Sequence, residues 1–100
     1  MQADVKPVVP AELADLRKQI DQIDAEIMEA LARRFAVTGK VGQLKAQFHL
    51  NSVDPVREQE KLQSLRNLAT ENGLNAEFID RLFQHVFNEV VKNHRSYLEK

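Results

Sequence analysis

The sequence predicts an all-α chain of three helices, one long and two shorter, from three observations. Apolar residues recur at steps of three and four from Leu13 to Val41, the period of one helix face. Asp54-Pro55 and Asn72-Gly73 supply a helix start and a helix stop that divide the remainder. No stretch alternates apolar and polar residues as a half-buried strand would.

Residues 1–10 contain Pro7 and Pro10 and show no period, which predicts a flexible lead-in followed by one helical domain over 11–100. The first helix is expected from about residue 11 to 48. Its seam runs Leu13, Leu16, Ile20, Ile23, Ile27, Leu31, Phe35, Thr38 and Val41, continuing through Leu44. Such a helix is roughly 55 Å long, more than a small globule covers by itself, so its apolar face implies pairing with another chain. Gly39 and Gly42 lie inside it, each costing about 1 kcal/mol relative to Ala. They read either as tolerated surface glycines or a kink, or as the close approach of another backbone or a ligand, with Gly42 the better candidate for close packing. After a short connection, Asp54 is the N-cap and Pro55 the first residue of a second helix over 55–71. Its inner face is expected to hold Val56, Leu62, Leu65 and Leu68 or Ala69. Asn72-Gly73 ends it. Asn75 caps a third helix over 76–98, with Ile79, Leu82, Phe83, Val86, Phe87, Val90 and Val91 inward.

Composition narrows the function classes. One hundred residues make one domain. A net charge of −1 lacks the basic excess of a nucleic-acid module, so any cationic site must be local. The chain has no Cys, which removes disulfides and zinc–thiolate sites. No run is long enough to span a membrane, and Met1–Pro10 lacks the pattern of a signal peptide, so a cytoplasmic location is expected. His85 and Glu89 are one helical turn apart, but two ligands without a third point to a polar edge rather than a metal.

The cations that stand out are Arg17, Arg34 and Lys45. Arg34 and Lys45 are 11 positions apart, about three turns and roughly 16 Å, so long side chains on one face could hold a small dianion between their tips. Arg17 precedes Arg34 by 17 positions, roughly 25 Å along and about 100° around the axis. On a straight helix it does not reach the same ligand. It is either a surface residue or serves the equivalent site of a partner chain.

Six segments taken in order resemble the all-helical class of chorismate mutases: Leu16-Arg17-Lys18-Gln19-Ile20-Asp21 with Ile23-Asp24, Ala32-Arg33-Arg34, Val41-Gly42-Gln43-Leu44-Lys45, Asp54-Pro55-Val56-Arg57-Glu58 and Arg81-Leu82-Phe83. The resemblance covers roughly residues 12–98. It implies an intertwined homodimer with two equivalent sites, each completed by one arginine from the other chain. It makes Arg17 that crossing arginine, on one substrate carboxylate. It gives Arg34 a carboxylate from the same chain, and Lys45 a carboxylate and the ether oxygen of the breaking bond. Asp54 and Arg57 help hold the substrate, and Glu58 accepts a hydrogen bond from its hydroxyl. Arg33 is read as a surface or salt-bridge residue. No cofactor or metal is implied, because the rearrangement of chorismate to prephenate is pericyclic and needs neither nucleophile nor proton transfer.

The sequence departs from the family on helix three. Val90 stands where members often carry a small hydroxyl residue, and His94 where a Gln or Glu faces the ether oxygen. Val90 cannot donate a hydrogen bond. His94 is expected either to donate to the ether oxygen or to close the end of the bundle as a half-buried side chain. An imidazolium donor would make catalysis weaken as pH rises.

Rival expectations are an isochorismate pyruvate-lyase built on the same cationic cage, and a weakly active module docking on another enzyme of aromatic biosynthesis. Asp54-Pro55-Val56-Arg57-Glu58 favours the mutase. The chain stops at Lys100, just after helix three, so no fused dehydratase, dehydrogenase or synthase domain is expected.

Overall fold

A computed structural model of the protein describes residues 9–51 and 53–98. Within them are three α-helices and no strand: α1 (Ala11–Gln47), α2 (Pro55–Glu71) and α3 (Ala76–Leu98). Most of the expected lead-in, residues 1–8, lies outside the described residues. No described helix is long and apolar enough to cross a membrane.

The helix ends are set by local hydrogen bonds. The carbonyl of Pro10 accepts from Leu13 N–H (3.0 Å) and Ala14 N–H (3.1 Å), opening α1. At its far end Leu50 N–H donates to Lys45 O (2.7 Å) and His49 N–H to Ala46 O (3.2 Å). This is the paired closure of a Schellman motif, and it requires a left-handed residue, here His49 at φ 57°. The Asn51 side chain then accepts from Val53 N–H. Asp54 Oδ1 accepts from Arg57 N–H at 3.1 Å, capping α2, and Pro55 follows as its first residue. The same closure ends α2: Leu74 N–H donates to Ala69 O and Gly73 N–H to Thr70 O, with Gly73 at φ 71°. Asn75 Oδ1 accepts from Phe78 N–H at 2.9 Å and starts α3.

The chain forms two compact units, Met1–Arg34 and Phe35–Lys100. The described part of the first is helical from Ala11 onward, and its seam of Leu13, Leu16, Ile20, Ile23 and Ile27 is exposed, Ile20 at 56%. The second is built around the α2–α3 hairpin, whose core is Leu62, Leu65, Ala69, Ile79 and Phe87, with Phe83 packed against it. The rings of Phe83 and Phe87 stand 6.2 Å apart and tilted by 60°. Arg66 donates to Asp80 across the hairpin at 3.0 Å.

Of the two candidates on α2, Ala69 is the buried one (3%) and Leu68 the exposed one (48%). Position 69 continues the stripe of Leu62 and Leu65 at helical spacing, while 68 is rotated off it by about 100°. Val56, expected inward, is 69% exposed; it sits about 120° around the helix from Leu62. Leu82 is likewise exposed, at the margin of the Ile79–Phe83–Phe87 stripe.

The two left-handed positions make opposite predictions. At Gly73 a Cβ would meet nothing within 4 Å, so Gly73→Ala should lose about 1 kcal/mol in urea denaturation through backbone conformation alone. At His49 the non-glycine residue already bears that cost, so His49→Gly should gain up to about 1 kcal/mol in the same assay. Asp54→Ala should cost about 1 kcal/mol, and Asp54→Asn, which keeps the capping oxygen, only a few tenths.

Candidate functional site

The last turns of α1 carry Thr38, Gly42 and Lys45, and α3 meets them through His94. His94 is 4% exposed. Its Nε2 lies 2.8 Å from the carbonyl oxygen of Thr38, which can only accept, so the proton is on Nε2. In a helix that carbonyl also receives the N–H of residue 42, and its two lone pairs allow both bonds. Gly42 is buried. A Cβ there would lie 3.0 Å from His94 Nε2 and 3.1 Å from Cγ, and would overlap Cδ2. Gly42 is thus a site of close packing, but what approaches it is a side chain rather than another backbone or a ligand: the imidazole occupies the space of the missing Cβ. Nδ1, across the ring from that edge, is buried and has no hydrogen-bond partner among the described residues.

Lys45 follows Gly42 by about one turn and is half-buried. At the start of α2, Asp54 and Arg57 are exposed and joined by the capping bond, while Glu58 is half-buried. Glu58 lines an open groove of about 740 Å³ with Val53 and, from α3, Asn88, Val91, Lys92 and Arg95. Val90 is half-buried, one turn before His94. Within the second unit the structure thus brings Glu58 beside the last turns of α3, and His94 against the α1 turn that precedes Lys45.

Arg17 and Arg34 belong to the first unit. Arg17 is exposed and Arg34 half-buried. Desolvation holds the Arg34 pKa below its ordinary value, yet a guanidinium stays charged at any physiological pH. A planar donor fork in a partly dry setting is suited to a carboxylate. Among the described residues no three His, Asp or Glu side chains gather in a metal-binding group.

Sequence reasoning missed Thr38 as the partner of His94, and missed the cations of the groove. Asn88 and Lys92 are four apart with Arg95 three further on, so one polar edge of α3 was visible in the spacing. That it faces Glu58 was not.

The chain matches the family chorismate mutase type II over residues 16–95. It is 30% identical to a chorismate mutase of Methanocaldococcus jannaschii over 88% of this chain and 89% of that protein. It is 33% identical to an isochorismate pyruvate lyase of Pseudomonas aeruginosa over 85% of this chain and 83% of that one. A T-protein of Haemophilus influenzae is 32% identical over 85% of this chain, which spans only 22% of that relative's length. Three helices, the cationic series along α1, the capped start of α2 and a match across four-fifths of the sequence lead to one conclusion: the chain belongs to the chorismate mutase type II family.

Proposed function

We propose that the chain is a chorismate mutase acting as a homodimer in the cytoplasm, converting chorismate to prephenate for phenylalanine and tyrosine formation. The observation that carries this reading is the family match over 16–95, a span that contains Arg17, Arg34, Lys45, Asp54, Arg57 and Glu58.

In the reaction the ether C–O bond breaks as a C–C bond forms within one molecule. The protein has to hold a flexible dicarboxylate in its reactive chair and stabilise the charge that develops as the C–O bond stretches. Holding that conformer removes much of the entropic part of the barrier. Arg34, with Arg17 of the partner chain, grips the carboxylates through bidentate forks. Lys45 places a fixed cation at the ether oxygen, where a donor of this type contributes about 3–4 kcal/mol. Glu58 takes the hydrogen bond of the ring hydroxyl, and Asp54 and Arg57 hold the substrate from the start of α2. Val90 offers only apolar contact. A His94 donor to the ether oxygen would have to use Nδ1, since Nε2 is given to Thr38.

The exposed seam of α1 supports the dimer. Each Leu or Ile taken from half exposure to burial contributes about 1 kcal/mol. Relatives named for a joined chorismate mutase and prephenate dehydratase, such as one from Buchnera aphidicola, of which this chain spans 23%, support a partner enzyme that consumes prephenate. The lyase relative keeps a second reading in view, release of pyruvate from isochorismate on the same cage.

Chorismate loss followed by ultraviolet absorbance, with chromatography of the product, is the deciding assay. Prephenate is expected, and Arg34→Ala or Lys45→Ala should lower the rate by about 100-fold or more. Pyruvate from isochorismate without prephenate from chorismate would transfer the reading to the lyase. Mixing inactive Arg17→Ala and Arg34→Ala chains should restore activity by regenerating one intact site per mixed dimer; a mixture that stays inactive excludes the crossing role. Asp54→Asn, with its cap intact, should still slow turnover if the Asp54 carboxylate serves the substrate.

A further inference from the structure

The geometry assigns His94 a positioning role: its imidazole, seated in the space left by Gly42 and bonded to Thr38 O, clasps α3 to the turn of α1 that precedes Lys45. The clasp is a structural statement; its kinetic consequence rests on the mutase reading.

Three observations meet at this point. The ring is almost wholly buried, at 4% exposure. Its Cδ2–Nε2 edge lies against the one helical position whose Cβ it would overlap. Its donor is directed at a helix carbonyl rather than into open space, at 2.8 Å. That carbonyl belongs to the residue whose helical partner is Gly42 itself, so the absent side chain both makes room for the ring and opens the oxygen to a second donor. Thr38 adds a bond of its own, its hydroxyl donating to Phe35 O at 3.2 Å. Lys45 is about one turn further along and its own carbonyl closes the end of the helix through Leu50. Fixing Thr38 and Gly42 against α3 therefore fixes the base from which the Lys45 side chain extends. A cation that must meet developing charge gains from such a rigid base, because a misplacement of about 1 Å can cost on the order of 100-fold in rate.

The assignment separates His94 from a donor to the ligand. The clasp needs a proton on Nε2, whether or not a ligand is bound. A donor to the ether oxygen needs a proton on Nδ1.

A double-mutant cycle on the full chain tests the clasp without reference to activity. Gly42→Ala is expected to lower the melting temperature by several degrees. In the His94→Ala background the same change should leave it unchanged or raise it, because the space is vacant and Ala is the better helix former. Equal losses in both backgrounds would overturn the clasp. If Gly42→Ala does not fold, nitrogen NMR of the unaltered protein decides. The His94 signals, assigned by their loss in His94→Gln, should show a protonated Nε2 and a bare Nδ1. They should stay so on addition of a rigid bicyclic dicarboxylate that mimics the chair. A proton appearing on Nδ1 with the mimic would overturn the proposal in favour of a direct donor. Kinetically, His94→Ala should lower kcat at least tenfold with KM changed less than threefold. His94→Gln, whose amide reaches the same carbonyl, should restore most of it. If the stability cycle and NMR hold but no chorismate turns over in the unaltered protein, the mutase reading fails and the clasp stands.

Discussion

The hydrogen bond from His94 to the carbonyl of Thr38 is the constraint on which the second unit turns. The α2–α3 hairpin has an apolar core of its own, but the end of α1 meets α3 through a buried imidazole and a glycine. A polar contact of this kind is specific where an apolar one is tolerant. A ring nitrogen has one direction, the carbonyl has a limited set of approaches, and a buried donor left unpaired costs about 1–3 kcal/mol. The register between α1 and α3 is therefore held by an interaction that penalises slippage in either direction.

Helix α1 poses the opposite problem. Its seam is apolar, regular and exposed from Leu13 to Ile27. Its regular spacing at steps of three and four resembles the seams that pair helices with other helices. Arg17 sits on this helix beside the seam residue Leu16, so whatever covers the seam also comes close to that cation. The proposed dimer uses both facts at once, since it buries the apolar stripe and gives an exposed arginine a carboxylate to bind.

What the sequence revealed follows from the range of each cause. Helix bounds were legible to within a residue wherever a cap was written locally: Asp54 before Pro55, Asn72-Gly73, and Asn75 three residues ahead of the N–H it accepts. The end of α1 was also legible to within a residue, expected at about 48 and found at Gln47, although its left-handed residue is His49 rather than glycine and histidine carries little of that signal. The choice of Ala69 over Leu68 followed from rotation about the axis once Leu62 and Leu65 were fixed. For the site, residue types and spacing were readable along the chain through family resemblance. The pairing of His94 with Thr38, separated by 56 positions, was not, because no local rule links them. Gly42 was noticed as an anomaly, and its explanation lay in a side chain half the sequence away.

The way α2 passes into α3 bears on how the chain reaches its folded state. Ala69, Thr70, Gly73, Leu74 and Asn75 close one helix and open the next through bonds that span only a few residues, and the core they bring together joins neighbouring helices. Contact order is low for such a hairpin, and domains rich in local contacts form in microseconds to milliseconds. The seam of α1 is different. If a second chain covers it, its burial is bimolecular and slows with dilution. Soon after synthesis the hairpin would then be formed while α1 still exposes its apolar stripe. That interval, rather than the finished fold, is where the protein is most open to aggregation, and its length is set by how much of the protein the cell holds.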